Sequence, residues 1–231
     1  NEYIVYSAHM DHDGIKAPLP GTSDSIWNGA DDDPSGTVGI VELAEASAQQ
    51  GARPKRSIIF MTVSGEEKGL WGSRWFSDHP TVPLASMVAN LNLDMIGRNS
   101  GKAKGDVKQW GDTIVVIGKE HSDLGTTLNR VNAAHPELRM NAIDDIWPEE
   151  RFYFRSDHYN FARKGVPILF FFNGTHEDYH QPADTPDKID AEKESRILKL
   201  LYFLGQDIGN AAQRPHWKPE SYKEIVEAPT S

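Results

Sequence analysis

Apolar runs of strand length recur along the chain, and most break off at residues that can hold a metal or a proton. Glu2 to Ala8 (Glu-Tyr-Ile-Val-Tyr-Ser-Ala) predicts a strand that runs straight into His9-Met10-Asp11-His12. Ser57 to Val63, rich in Ile, Val and Phe, predicts a buried strand that stops at Ser64-Gly65-Glu66-Glu67-Lys68-Gly69. Met87 to Ile96 alternates as a strand does and carries Asp94 near its end, and Asp112 to Gly118 predicts another. Val166 to Phe172 leads into Asn173-Gly174-Thr175-His176-Glu177-Asp178-Tyr179-His180.

Helical periodicity fills the intervals. Gly29-Ala30-Asp31-Asp32-Asp33-Pro34-Ser35-Gly36 opens a helix reaching about Gln50, with Pro34 suited to its first turn and Asp33 to its N-cap. Gly69 to Asp78 and His121 to Ala134 read as helices, and Asp190 to Gln213 as a long one with Ile197, Leu200, Leu201 and Leu204 on one face. Ile143 to Tyr159 has no clear period, so it predicts a long functional loop. Strands alternating with helices predict an α/β fold: a mostly parallel, mixed central sheet sandwiched by helices. Residues 1–213 then form one domain, and the Pro-rich tail 214–231 covers the surface. Because the chain starts almost at once on a core strand, an upstream part is expected as well.

Charge and composition narrow the partners. Over 231 residues the net charge is -10, which repels nucleic acid and anionic membranes. No apolar stretch is long enough to span a bilayer, and no basic segment precedes a hydrophobic one. With no cysteine, disulfides, thiolate metal sites and cysteine nucleophiles are excluded.

In a largely parallel sheet the C-terminal strand ends lie along one edge, where ligands bind. There the sequence places His9, Glu66 with Glu67, Asp94 and His180, with Asp32 at a helix start. Imidazoles and carboxylates without thiols suit zinc or a similar divalent ion, and the donors suffice for two ions sharing Asp32. His176-Glu177-Asp178-Tyr179-His180 also matches H-E-x-x-H, whose chemistry needs a helix. Gly174 before it and Pro182 and Pro186 after it argue against one.

Taken together, His9-Met10-Asp11, Gly29 to Gly36, Gly65-Glu66-Glu67-Lys68-Gly69, Asn92-Leu93-Asp94-Met95, Ser156-Asp157-His158, and Tyr179-His180 followed by Asp184-Thr185 resemble one family. It is that of the co-catalytic zinc aminopeptidases of the bacterial leucyl aminopeptidase type, related to glutamate carboxypeptidase and glutaminyl cyclase. The resemblance implies a zinc-exopeptidase-like fold and two Zn(2+) ions bridged by Asp32, with His9 and Asp94 on one, and Glu67 and His180 on the other. It implies Glu66 as general base toward a zinc-bridged hydroxide, Asp11 as the acid orienting His9, Tyr153 as an oxyanion donor, Asp157 as a supporting acid, and a cis peptide at Asp32-Asp33. The reaction implied is removal of the N-terminal residue from peptides with a free N-terminus, outside the cell or in the periplasm. A glutaminyl cyclase-like acyltransferase with one zinc and a non-catalytic peptidase-like binding domain are the alternatives. His12 is expected to be structural, Asp184 a turn or supporting residue, and Tyr179 and Trp147 packing residues.

Overall fold

Alternating side chains on β1, Tyr3–His9, build both faces of the central sheet: Ile4, Tyr6 and Ala8 pack on one side and Val5 on the other. A computed structural model describes residues 1–51, 53–100 and 110–228. After β1 come a two-stranded ribbon, β2 (Gly14–Ile15) with β3 (Ile26–Trp27), and helix α1, Gly36–Ala48. The chain then runs through β4 (Ser57–Val63), α2 (Trp71–Asp78), β5 (Met87–Leu93), β6 (Thr113–Ile117), α3 (Leu124–Ala134), β7 (Asn141–Ile143), α4 (His158–Ala162), β8 (Ile168–Phe172) and α5 (Ala191–Asn210).

The main sheet has the order β4-β1-β5-β8-β6-β7. β1 pairs in parallel with β4 and β5, β5 with β8, and β6 with β7, while β6 meets β8 antiparallel. The sheet is therefore mixed and mostly parallel, as expected. β1, β4, β5 and β8 share one direction, so their C-terminal ends open on one edge.

One apolar layer packs α1, α3 and α5 against the sheet, through Ile40, Leu128 and Leu200 among others. The opposite layer joins Val5, Met95, Phe161, Phe170 and Phe172 to Trp147 and Phe152. Asp190 caps α5, its side chain accepting from the Lys193 amide.

Three boundaries differ from expectation. β4 is the sheet's edge strand and only half-buried, because an apolar run does not reveal which neighbour a strand lacks. The stretch 143–159, expected as a loop without period, begins at the end of β7, holds two short 3₁₀ turns, Pro148–Glu150 and Phe152–Phe154, and ends in α4, with Trp147, Phe152 and Tyr153 buried as core. The tail contributes a short helix, α6 (Pro219–Tyr222), and buries Ile225, while Trp217 Nε1 donates to the Gly165 carbonyl at 2.9 Å. Residues 229–231 of the tail lie outside the described residues.

Candidate metal centre

Strand ends deliver most of the site. β1 supplies His9 as its last residue, and Asp94 is the first residue beyond β5. After β4, Gly65 at φ 81° turns the chain into a 3₁₀ turn, Glu66–Lys68, using a backbone region that glycine enters freely. Asp32 sits in the wound turn before α1, and His180, itself left-handed at φ 54°, ends the irregular segment after β8. The Asp32-Asp33 peptide is cis.

Buried Asp32 lies at the centre. Its Oδ1 is 3.2 Å from His9 Nε2 and its Oδ2 is 3.0 Å from His180 Nε2. His9 Nε2 is also 3.7 Å from Asp94 Oδ2, and His180 Nε2 is 3.2 Å from Glu67 Oε2. His9, Asp32 and Asp94 each offer a ligand atom within 4.8 Å of the others, and so do His12, Asp32 and Glu67. Glu66 belongs to neither trio; its Oε2 stands 3.9 Å from His9 Nε2.

These residues fit a pair of cations. His9 Nε2 and Glu67 Oε1 are buried without a hydrogen-bond partner among the described residues, a costly state that a cation accepting their lone pairs would relieve. The donors are all nitrogen and oxygen, which suits zinc.

Buried hydrogen bonds hold this arrangement. Asp33 Oδ2 accepts the His9 amide at 3.1 Å, and its Oδ1 accepts the amides of Gly36 and Met95 at 3.0 and 3.1 Å, joining β1, α1 and the segment just after β5. Asp184 Oδ2 accepts the amides of Asp31 and Asp32 at 3.0 and 3.3 Å, and Trp27 Nε1 donates to the His180 carbonyl at 3.0 Å. Ser156 Oγ donates to Asp94 Oδ2 at 2.7 Å. Asp157 accepts from Ser73 Oγ, and burial pushes its carboxyl up to about 6.

The electrostatics match so dense an acid cluster. Burial, then the Asp94 charge, raise Glu66 to about 9. Burial opposes protonation of His180, but hydrogen bonding to Asp32 and Glu67 outweighs it and raises the ring to about 10. His9 is raised as well, since Asp94, Asp11 and Asp32 overcome its burial. Positive charge is what this pocket favours.

Several expectations change. Asp11 contacts His9 through its backbone: the carbonyl lies 3.0 Å from His9 Nδ1, so Nδ1 carries the proton and Nε2 faces the acids. The Asp11 carboxylate, its Oδ1 3.7 Å from His9 Nδ1, also accepts the amides of Glu66 and Glu67. Tyr153 packs against His121 and His158 and is not part of the wall of the cavity of about 40 Å³ beside the acids. Tyr179 does line that cavity, its ring stacked on His180 at 3.9 Å. Its position directly before a candidate ligand was the available signal. His176 Nε2 lies 3.2 Å from Asp31 Oδ2 and Glu177 is 74% exposed, in a stretch that is not helical, so no H-E-x-x-H site forms.

Leucine aminopeptidase 1 of Coccidioides posadasii is 31% identical over 199 residues, 81% of this chain and 47% of that protein. A probable zinc metalloprotease of Pyricularia oryzae is 29% identical over 185 residues, 70% of this chain and 36% of that protein. The chain thus spans less than half the length of these relatives. Among solved structures, the LapA aminopeptidase of Legionella pneumophila shares the fold with TM-score 0.68 at 24% identity, covering 92% of this chain and 53% of that one. Porphyromonas gingivalis glutaminyl cyclase does so with TM-score 0.66 at 19% identity, covering 88% and 72%. The model of peptidase family M28 matches residues 1–204, and the chain belongs to that family.

Proposed function

We propose that this chain carries the catalytic unit of a two-zinc aminopeptidase that removes the N-terminal residue from peptides. The observation carrying this reading is the pair of Asp32 oxygens turned toward different histidines, His9 at 3.2 Å and His180 at 3.0 Å. His9, Asp32 and Asp94 would hold one ion; Asp32, Glu67 and His180 would hold the other. When bound, the pair supplies Lewis-acid polarisation of the scissile carbonyl and a water acidic enough to ionise near neutral pH.

Glu66 lines the cavity without belonging to either trio; bound cations would offset the burial and the Asp94 charge that raise it, so that its carboxylate would be ionised to take the proton of the attacking water and return it to the leaving amine. Tyr179, which lines the cavity where Tyr153 does not, would be a hydroxyl donor for the developing oxyanion. Met95, Phe152, Phe170 and Phe172 form an apolar part of the cavity wall, which suits an apolar N-terminal side chain.

The test is a panel of aminoacyl arylamides with zinc-loaded protein, in parallel with metal analysis. Fastest release of leucine or phenylalanine with two zincs per chain supports the reading. One zinc with cyclisation of N-terminal glutamine would replace it with acyl transfer, and full zinc occupancy without turnover of any substrate would replace it with a binding role.

A further inference from the structure

His12 stands three residues beyond His9, past the end of β1, and points back into the site. Its Nδ1 lies 2.9 Å from Glu67 Oε1 and 3.8 Å from Asp32 Oδ2, and its side chain is 7% exposed. A histidine buried against two acids usually explains itself by donating a hydrogen bond. Here His12 Nδ1, His12 Nε2 and Glu67 Oε1 all lack a hydrogen-bond partner among the described residues, despite the short separation. The ligand atoms of His12, Asp32 and Glu67 lie within 4.8 Å of one another, close enough to share one ion. A cation there satisfies His12 Nδ1 and Glu67 Oε1.

The ring's placement is built into the chain. A Cβ on Gly29, which has φ +57°, would collide with the His12 ring, so the ring occupies space that only glycine leaves. His180 approaches the same two acids from a different side, its ring edge-on to that of His12 at 78° and 5.5 Å between centroids.

We propose that His12 is a fourth protein ligand of the Glu67–His180 metal site, through Nδ1. This rests on the two-site reading above and makes the two sites unequal. Asp32, Glu67, His12 and His180 close the second site with four protein donors, while His9, Asp32 and Asp94 leave the first with three. Four-coordinate sites are typical of ions held for structure, and three protein ligands leave a position open for reaction. The open site is the one beside Glu66, whose carboxylate is 3.9 Å from His9 Nε2.

Protein labelled with ¹⁵N-histidine and loaded with ¹¹³Cd tests this directly. The expected result is metal–nitrogen coupling at three rings, two through Nε2 (His9 and His180) and one through Nδ1 (His12). Coupling at only two rings, both through Nε2, overturns the proposal and leaves the two-site reading standing. Coupling at no ring defeats that reading and the proposal with it. Independently, His12→Gln should weaken one of the two zinc ions about 10- to 100-fold or more in chelator competition and change the other far less. Two ions bound as tightly as in the parent protein would also overturn it.

Discussion

The carboxylate of Asp11 accepts the backbone amide of Glu66 at 3.2 Å, tying the loop after β1 to the turn after β4. The same carboxylate takes the Glu67 amide at 3.3 Å, while the Asp11 carbonyl meets His9 Nδ1. One residue thus sets the direction of a histidine and of both acids. Asp11→Ala should lower kcat and metal affinity each by about 10- to 100-fold with a smaller change in KM. Steady-state kinetics and a zinc titration check this; an unchanged kcat would show that the turn holds itself.

Glu66 and Glu177 separate the two mechanisms the sequence offers. Glu66→Ala should retain zinc and lose nearly all turnover, a fall of at least about 100-fold for a lost general base. Glu177, 74% exposed, should be replaceable by alanine with little effect. Metal analysis and kinetics of both variants decide it, and the opposite pattern would restore the H-E-x-x-H mechanism.

His158 makes stability depend on acidity. It is fully buried, its Nε2 donates to the Tyr153 carbonyl at 2.7 Å, and burial pushes its pKa down to about 3. The unfolded chain takes up this proton near pH 6.5, while the folded chain resists until about pH 3. Its contribution is therefore complete above pH 6.5 and drains away as pH falls toward 3, by up to roughly 1.4 kcal/mol per pH unit. His158→Phe should flatten this slope in urea unfolding of metal-free protein at pH 7.5 and 5. Equal slopes in both proteins would contradict it.

Gly205 on α5 leaves room for the Tyr6 ring, whose hydroxyl donates to the Leu201 carbonyl at 2.7 Å. A Cβ at Gly205 would overlap that hydroxyl. Gly205→Ala should cost about 1–3 kcal/mol in chemical unfolding, partly recovered when Tyr6→Phe removes the oxygen. Additive losses in the double variant would mean that the two groups do not compete for space.

The sheet and most of the candidate ligands were legible in the sequence because each apolar run ends where its chemistry begins: His9 ends β1, Asp94 directly follows β5, and Glu66 with Glu67 stand in the turn after β4. What depends on contacts across the fold was not. His12 gains its role only when Gly29 makes room and Glu67 arrives from β4, and nothing local to residues 9–13 signals either. Tyr153 was placed by its offset from Asp157, but the 3₁₀ turn at Phe152–Phe154 packs its ring against His158 and puts Phe152 on the cavity wall. β4 read as buried because its composition is apolar, whereas its position at the sheet edge follows from pairing order alone.

Asp32 is the residue that would serve two ions at once. Zinc content and activity, followed together as metal-free protein is titrated with zinc, test this most directly. Two zinc ions per chain at full activity, and loss of the tight binding of both in Asp32→Ala, are the expected results. Full activity at one zinc per chain, or an Asp32→Ala protein that still binds two ions tightly, would contradict this role.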